Sequence, residues 1–154
     1  MAKSDELAAA LQRNFDGKPW HGSALLTIVG NVAPERAFTR PAPEIRAIAE
    51  LLGHTIAWME IVTERLRGEN PDVPPERDFP DVEGVEWDAL VERLHGAFAA
   101  LLDAVRALDD AAWQRNAPGK THTMEHMVDG LLHHTTYHAA QIALMNRMLA
   151  PAAP

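Results

Sequence analysis

Four long amphipathic segments, breaks marked by proline and glycine, and the lack of any alternating strand pattern predict an all-α fold, a four-helix bundle. The chain has 154 residues, of which 47% are apolar. That is enough to bury a core without covalent staples and suits one helical-bundle domain over residues 1–154.

Ser4-Asp5-Glu6 reads as the cap of a first segment carrying Leu7, Leu11 and Phe15, broken at Gly17-Lys18-Pro19. After Trp20-His21-Gly22-Ser23, a second piece over Ala24–Val29 ends near Gly30-Asn31. Pro34, Pro41 and Pro43 punctuate the next stretch, and Pro43 suits a first helical position. A helix is expected from Glu44 to about Arg67, stopped by Gly68-Glu69-Asn70-Pro71. Residues 69–84, rich in Pro, Asp and Glu, read as a mobile surface loop. A third long helix is expected over Glu86–Leu108, with Trp87, Leu90, Val91, Leu94, Phe98, Leu101, Leu102 and Val105 at helical spacing. After the loop Asn116–Lys120, a fourth runs over Thr121–Leu149 and leaves Ala150–Pro154 as a frayed tail.

Composition removes whole classes of function. With no cysteine, disulfides, thiolate metal sites, iron–sulfur clusters and a cysteine nucleophile are excluded. A formal net charge of −8 disfavours phosphate-backbone binding, so no nucleic-acid partner is expected. No stretch has the roughly 18 apolar residues of a membrane span, and the first residues lack the apolar run of a signal peptide. A cytoplasmic protein with no membrane partner is expected.

Chemistry concentrates in the histidines, eight in all. On the last helix Met127, Leu131, His134, His138, Met145 and Leu149 fall along one stripe, within about 40–60° at 100° per residue. His134 and His138 therefore occupy core positions, and an i, i+4 pair sets two imidazoles side by side, as a divalent metal requires. Two buried histidines satisfied by hydrogen bonds are the bland alternative. His54 shares a strip with Leu51, Trp58 and Ile61, at the edge of a broad apolar face. On spacing alone it is either a half-solvated edge residue or a third donor from the facing helix. His122 and His126 are also four apart, but point a quarter to half turn off the stripe and read as exposed. His133 reads as peripheral, and His95 has no partner in sequence. Trp20 reads as core beside a loop His21, with His21 at the mouth of a pocket as the sharper alternative.

A di-iron carboxylate site needs Glu-x-x-His on two helices, and the spacing here does not supply it: Glu50 and His54 are four apart, and Glu125 directly precedes His126. A Ser-His-Asp hydrolase lacks G-x-S-x-G.

Gly130-Leu131-Leu132-His133-His134-Thr135-Thr136-Tyr137-His138-Ala139-Ala140-Gln141-Ile142 resembles the last-helix phrase of the DinB superfamily, the YfiT-like metal-dependent hydrolases. Leu51-Leu52-Gly53-His54-Thr55-Ile56-Ala57-Trp58 followed by Arg65-Leu66-Arg67-Gly68 resembles its second-helix phrase. Trp20-His21-Gly22, Arg40-Pro41, Trp87 and Pro118-Gly119 also fit, so the resemblance spans nearly the whole chain. Ala140 departs from the glycine many members carry, a change between small residues.

The resemblance implies a DinB/YfiT-like four-helix bundle holding one divalent metal ion through His54, His134 and His138. Imidazoles do not select among Zn, Ni and Fe. It further implies a metal-dependent enzyme acting on a small-molecule substrate, a thiol S-transferase using a low-molecular-weight thiol or a hydrolase. The alternative is a non-catalytic metal-binding stress-response protein of the same fold. Candidates for a general base are His21, Glu50 and Tyr137, none secured by spacing. Gln141, on the ligand stripe one turn on, reads as support for a ligand or as a helix contact. A homodimer is left open.

Overall fold

The computed structural model describes residues 2–151, so the last three residues of the expected frayed tail, 152–154, lie outside it. Helices run over Lys3–Phe15 (α1), Leu25–Gly30 (α2), Pro34–Ala37 (α3), Ile48–Leu66 (α4), Pro75–Asp78 (α5), Trp87–Arg106 (α6) and Met124–Met148 (α7), with a 3-10 turn at Ala112–Gln114. The four long ones, α1, α4, α6 and α7, form the predicted bundle. α4 packs on α6 and α7, α1 packs on the same two, and α2 lies along α7.

α4 is the central helix, and its composition explains why. It is apolar nearly all round, from Ile48 through Ile56, Met59 and Ile61 to Leu66, which suits a helix with neighbours on several sides. Its first turn is closed by the Glu50 carboxylate, which accepts from the Ala47 N–H at 2.8 Å. Its end is marked by Gly68 at φ +94, a conformation open to glycine at little cost. α7 starts at Thr123, whose hydroxyl accepts from the His126 N–H at 3.2 Å. α1 and α6 meet through Phe15 and Phe98, stacked with ring centroids 3.6 Å apart.

Four sequence expectations about the fold change. Ser4 does not cap α1. It is buried inside the helix, where its hydroxyl donates to the Leu108 carbonyl at 2.5 Å and accepts from the Trp113 indole N–H at 3.0 Å. Pro43 lies in the approach to α4, which begins only at Ile48: it is the second residue of a turn closed by the Ile45 N–H donating to the Ala42 carbonyl at 3.0 Å. Trp20 is fully exposed rather than core, since the break at Gly17-Lys18-Pro19 carries the chain away from the bundle before α2 begins.

The connection from α4 to α6 is not the loose surface loop expected of residues 69–84. It contains α5, and Arg77 pairs with Glu64 of α4 at 2.5 Å. Val82 is buried against Gly53, where a Cβ would stand 3.1 Å from the valine methyl. A glycine in the middle of α4, otherwise unfavourable in a helix, thus lets this segment lie close to the helix.

Replacing Ser4 with alanine would leave the buried Trp113 indole N–H without its acceptor. The expected loss is about 1–3 kcal/mol of unfolding free energy, read by urea denaturation. No loss would mean that the hydroxyl contributes nothing to holding α1 against the 108–113 segment.

Candidate metal centre

α4 and α7 face each other across a seam in which three imidazoles converge. His54 Nε2 lies 2.9 Å from His134 Nε2, which lies 3.1 Å from His138 Nε2. His54 and His138 are buried and His134 is partly so. His54 is thus no half-solvated edge residue. The connection over α5 covers it, with the Phe79 ring stacked on the imidazole at 4.0 Å between centroids.

Two outer contacts fix the ring orientations. His54 Nδ1–H donates to the Asp78 carbonyl at 2.6 Å, and His138 Nδ1–H donates to Gln141 Oε1 at 2.6 Å. A neutral imidazole carries one proton, so both rings turn an unprotonated Nε2 toward His134. The Asp78 carboxylate accepts from the Trp58 indole N–H at 2.8 Å and lies 3.3 Å from His54 Nδ1. His134 Nδ1 is buried without a partner. Whichever nitrogen of His134 holds its proton, lone pairs remain pressed together or a buried N–H stays unmet, and either costs stability. A cation held by His54, His134 and His138 would remove the conflict. The donor set fits a divalent ion: nitrogen ligands from two rigid helices, two of them oriented from behind.

Protonation is suppressed where such an ion would need it to be. Burial pushes His134 down to about 4, and its neighbours His138 and His54 add to the effect. His138 is also lowered, by burial and by His54, against the raising hydrogen bond from Gln141.

Two openings flank the triad. One, of about 530 Å³, brings His54 and His134 together with Trp58, Val62, Met127 and Leu131. Arg65, Lys120, His122 and His126 also line it. The other, about 490 Å³, reaches His138 and Gln141 past Leu51, Phe79 and Met145. Ile61, at the triad's edge by sequence spacing, is instead buried in the core. His122 and His126 lie off the ligand stripe as expected, with His126 exposed, yet both line the triad's own cavity. Gly130, one turn before His134, leaves the space that opens this wall toward them.

The general-base candidates are not gathered here. His21 is exposed and lines a separate cavity with Asn146 and Arg147. Glu50 is held by Arg40, with contacts of 2.5 and 2.9 Å, and by Arg46 at 3.2 Å. Burial works to raise its carboxyl, but these arginines and the Ala47 N–H outweigh it and hold it below the ordinary value. Tyr137 is largely exposed, edge-on to His138 at 5.0 Å between centroids, and its hydroxyl accepts from Gln141 Nε2 at 3.4 Å. His133 is exposed beside Asp129, and His95 is exposed with its ring edge-on to Phe15. The residues that the sequence reading missed are Asp78 and Phe79, supplied by the α4–α6 connection, and Arg65.

The depressed values carry a pH signature. With His134 near 4 in the folded protein and near 6.5 when unfolded, the unfolded chain binds more protons between those limits. Stability of the metal-free protein is therefore expected to rise from pH 4 to 6.5 and then level off. Denaturant midpoints across that range test this, and a His134→Asn variant should flatten the rise.

The sequence matches the family described as the DinB superfamily over residues 20–142. No curated protein matches it by sequence. The fold is similar to the crystal structure of the colibactin self-resistance protein ClbS in complex with a dsDNA. The TM-score is 0.74 at 17% identity, covering 97% of this chain and 99% of that one. That complex overturns the expectation of no nucleic-acid partner drawn from net charge, since a protein of similar fold is found with a duplex. Net charge is a sum, whereas binding responds to local fields. Here Glu35, Glu50, Glu76, Asp81, Glu83, Glu86 and Asp88 line one cleft of about 850 Å³ with Arg40 and Arg46, while Arg65 and Lys120 at the triad's cavity share it with one carboxylate, Asp78. A family match over most of the chain and an all-helical bundle of the same fold agree, and the chain belongs to the DinB superfamily.

Proposed function

We propose that this protein is a metal-dependent enzyme acting on a small molecule, with His54, His134 and His138 as ligands of one divalent ion. The observation that carries the reading is the convergence of three Nε2 atoms whose rings are oriented by Asp78 and Gln141. Neutral ligands leave such an ion its full charge, and when bound it supplies Lewis acidity and lowers the pKa of a water or thiol at its open position.

The chain's own residues provide the rest. The Asp78 carbonyl and Gln141 hold protons on the outer nitrogens of His54 and His138, which keeps the inner nitrogens basic. Phe79 closes one face of His54 against water, and Trp58, Met127 and Leu131 give the adjoining cavity an apolar wall. A low local dielectric strengthens the pull of the site on an anionic nucleophile. With no cysteine in the chain, a thiol nucleophile comes from a cosubstrate. S-transfer and hydrolysis are the two reactions that fit this arrangement.

Substituting His54, His134 or His138 with alanine is expected to abolish stoichiometric metal in protein purified without an affinity tag, whereas His122→Ala and His126→Ala should retain it. Gln141→Leu should weaken metal affinity by about 10–100-fold. Chelation should lower the melting temperature while leaving the helical circular dichroism, because the core is apolar. Full occupancy in His138→Ala would remove the assignment. A small thiol added to the Co-loaded protein is expected to change its visible spectrum and release protons. No change would leave hydrolysis or a non-catalytic metal-binding role.

Duplex DNA is a second ligand class, favoured by the complex seen for ClbS. Anisotropy of a short labelled duplex, measured at low and physiological salt, tests it. A salt-dependent dissociation constant is expected if the cationic rim takes part, and no binding at low salt would remove this reading.

A further inference from the structure

The face of α4 that carries His54 and Trp58 continues to Arg65. Eleven residues separate His54 from Arg65, three turns of helix, so the two side chains point within about 20° of each other. Arg65 is only 5% exposed. Among the described residues no side chain or carbonyl accepts a hydrogen bond from its guanidinium, and its Nε is shut off from solvent with no partner. The nearest acid in sequence, Glu64, attracts it only at a distance and pairs with Arg77 at 2.5 Å, while burial and the repulsion of Arg77 work against its charge. The guanidinium carbon instead stands 5.8 Å from the Trp58 ring centroid. A buried, unpaired cation is among the costlier features a fold can carry.

The surroundings indicate what completes it. Arg65 lines the same cavity of about 530 Å³ as His54 and His134. Lys120 lines it as well, on a turn closed by an Asn116–Thr123 bridge and by its own N–H donating to the Ala117 carbonyl at 2.9 Å. His122 and His126 follow on the same wall. The single carboxylate lining the cavity, Asp78, is already engaged by Trp58 and faces His54.

We infer that this cavity is an oxyanion subsite: a small carboxylate- or phosphate-bearing molecule pairs its anionic group with Arg65 and Lys120, and its remaining part reaches toward His54 and His134. The subsite stands on the cavity and on Arg65. Its role in orienting a substrate rests on the metal-dependent reading above. Burial of Arg65 favours a small free oxyanion over a duplex backbone, whose phosphates meet cations at the protein surface.

The test is titration of metal-loaded and chelator-stripped protein with inorganic phosphate, malonate and a short duplex. Binding is read by calorimetry and by the Trp58 indole NMR signal. Saturable binding of phosphate or malonate is expected in both forms. It should weaken at least about tenfold in Arg65→Met, which removes a charged hydrogen-bond partner, and less in Lys120→Ala. Arg65→Met should also melt no lower than the parent, because methionine fills the space without an unpaired charge.

Unchanged phosphate affinity in Arg65→Met would overturn the subsite. So would binding seen only in metal-loaded protein, which would put the anion on the ion, or binding of the duplex alone. If Arg65→Met does not fold, Lys120→Ala decides: weaker binding supports the subsite, and unchanged binding overturns it. A protein that binds phosphate through Arg65 yet holds no stoichiometric metal would keep the subsite and discard the metal-dependent reading.

Discussion

Three converging imidazole nitrogens, with His134 Nε2 held 2.9 Å from that of His54 and 3.1 Å from that of His138 in an apolar seam, are the constraint around which this molecule is arranged. Each ring alone could settle as an ordinary buried histidine with one hydrogen bond. Together they cannot, because the groups that orient His54 and His138 from behind force lone pairs inward. His134 carries the residue of that conflict as an outer nitrogen without a partner. The strong suppression of its protonation has the same origin, burial first and crowding by the other two rings second.

Holding such an arrangement takes a stiff scaffold, and the order of packing supplies it. α4 is buried on nearly every side, so His54 has little freedom to retreat. His134 and His138 ride on α7, the longest helix, whose start is fixed by Thr123. The wall over His54 is built from the α4–α6 connection, pinned by Arg77–Glu64, by Trp58–Asp78 and by Val82 seated on Gly53. Arg46 lies over the outer face of Phe79 at 3.7 Å, so the ring that covers His54 is itself covered. A segment whose composition suggests a solvated loop thus takes part in the site.

Charge is distributed with equal purpose. Carboxylates crowd one cleft, where Arg40 and Arg46 both pair with a single one of them, Glu50, while the cavity at the triad is edged by Arg65, Lys120 and two further histidines. A net charge of −8 therefore says little about what either opening attracts. It is the local field in a cavity with apolar walls that selects a ligand.

Periodicity alone determined the four long helices and the placement of His134 and His138 in a buried stripe, because helix geometry converts spacing directly into direction. The family phrases around His54 pointed to the third member of the triad, and spacing by itself left that residue open. The eleven-residue interval from His54 to Arg65 was also present in the sequence, as a repeat of three whole turns. What only the tertiary structure decided is the set of contacts between segments distant in the chain. Asp78 and Phe79 come to His54 from an acidic, proline-rich stretch with no periodicity to read. Glu50, close to His54 in sequence, is instead drawn to Arg40 and Arg46. His122 and His126 share the triad's cavity although they lie off its stripe, because a cavity between helices collects side chains from a wider arc than a packed seam does. Spacing along one helix fixes angles about that helix, but the distance between two helices and the path of the chain joining them follow from how the whole core packs.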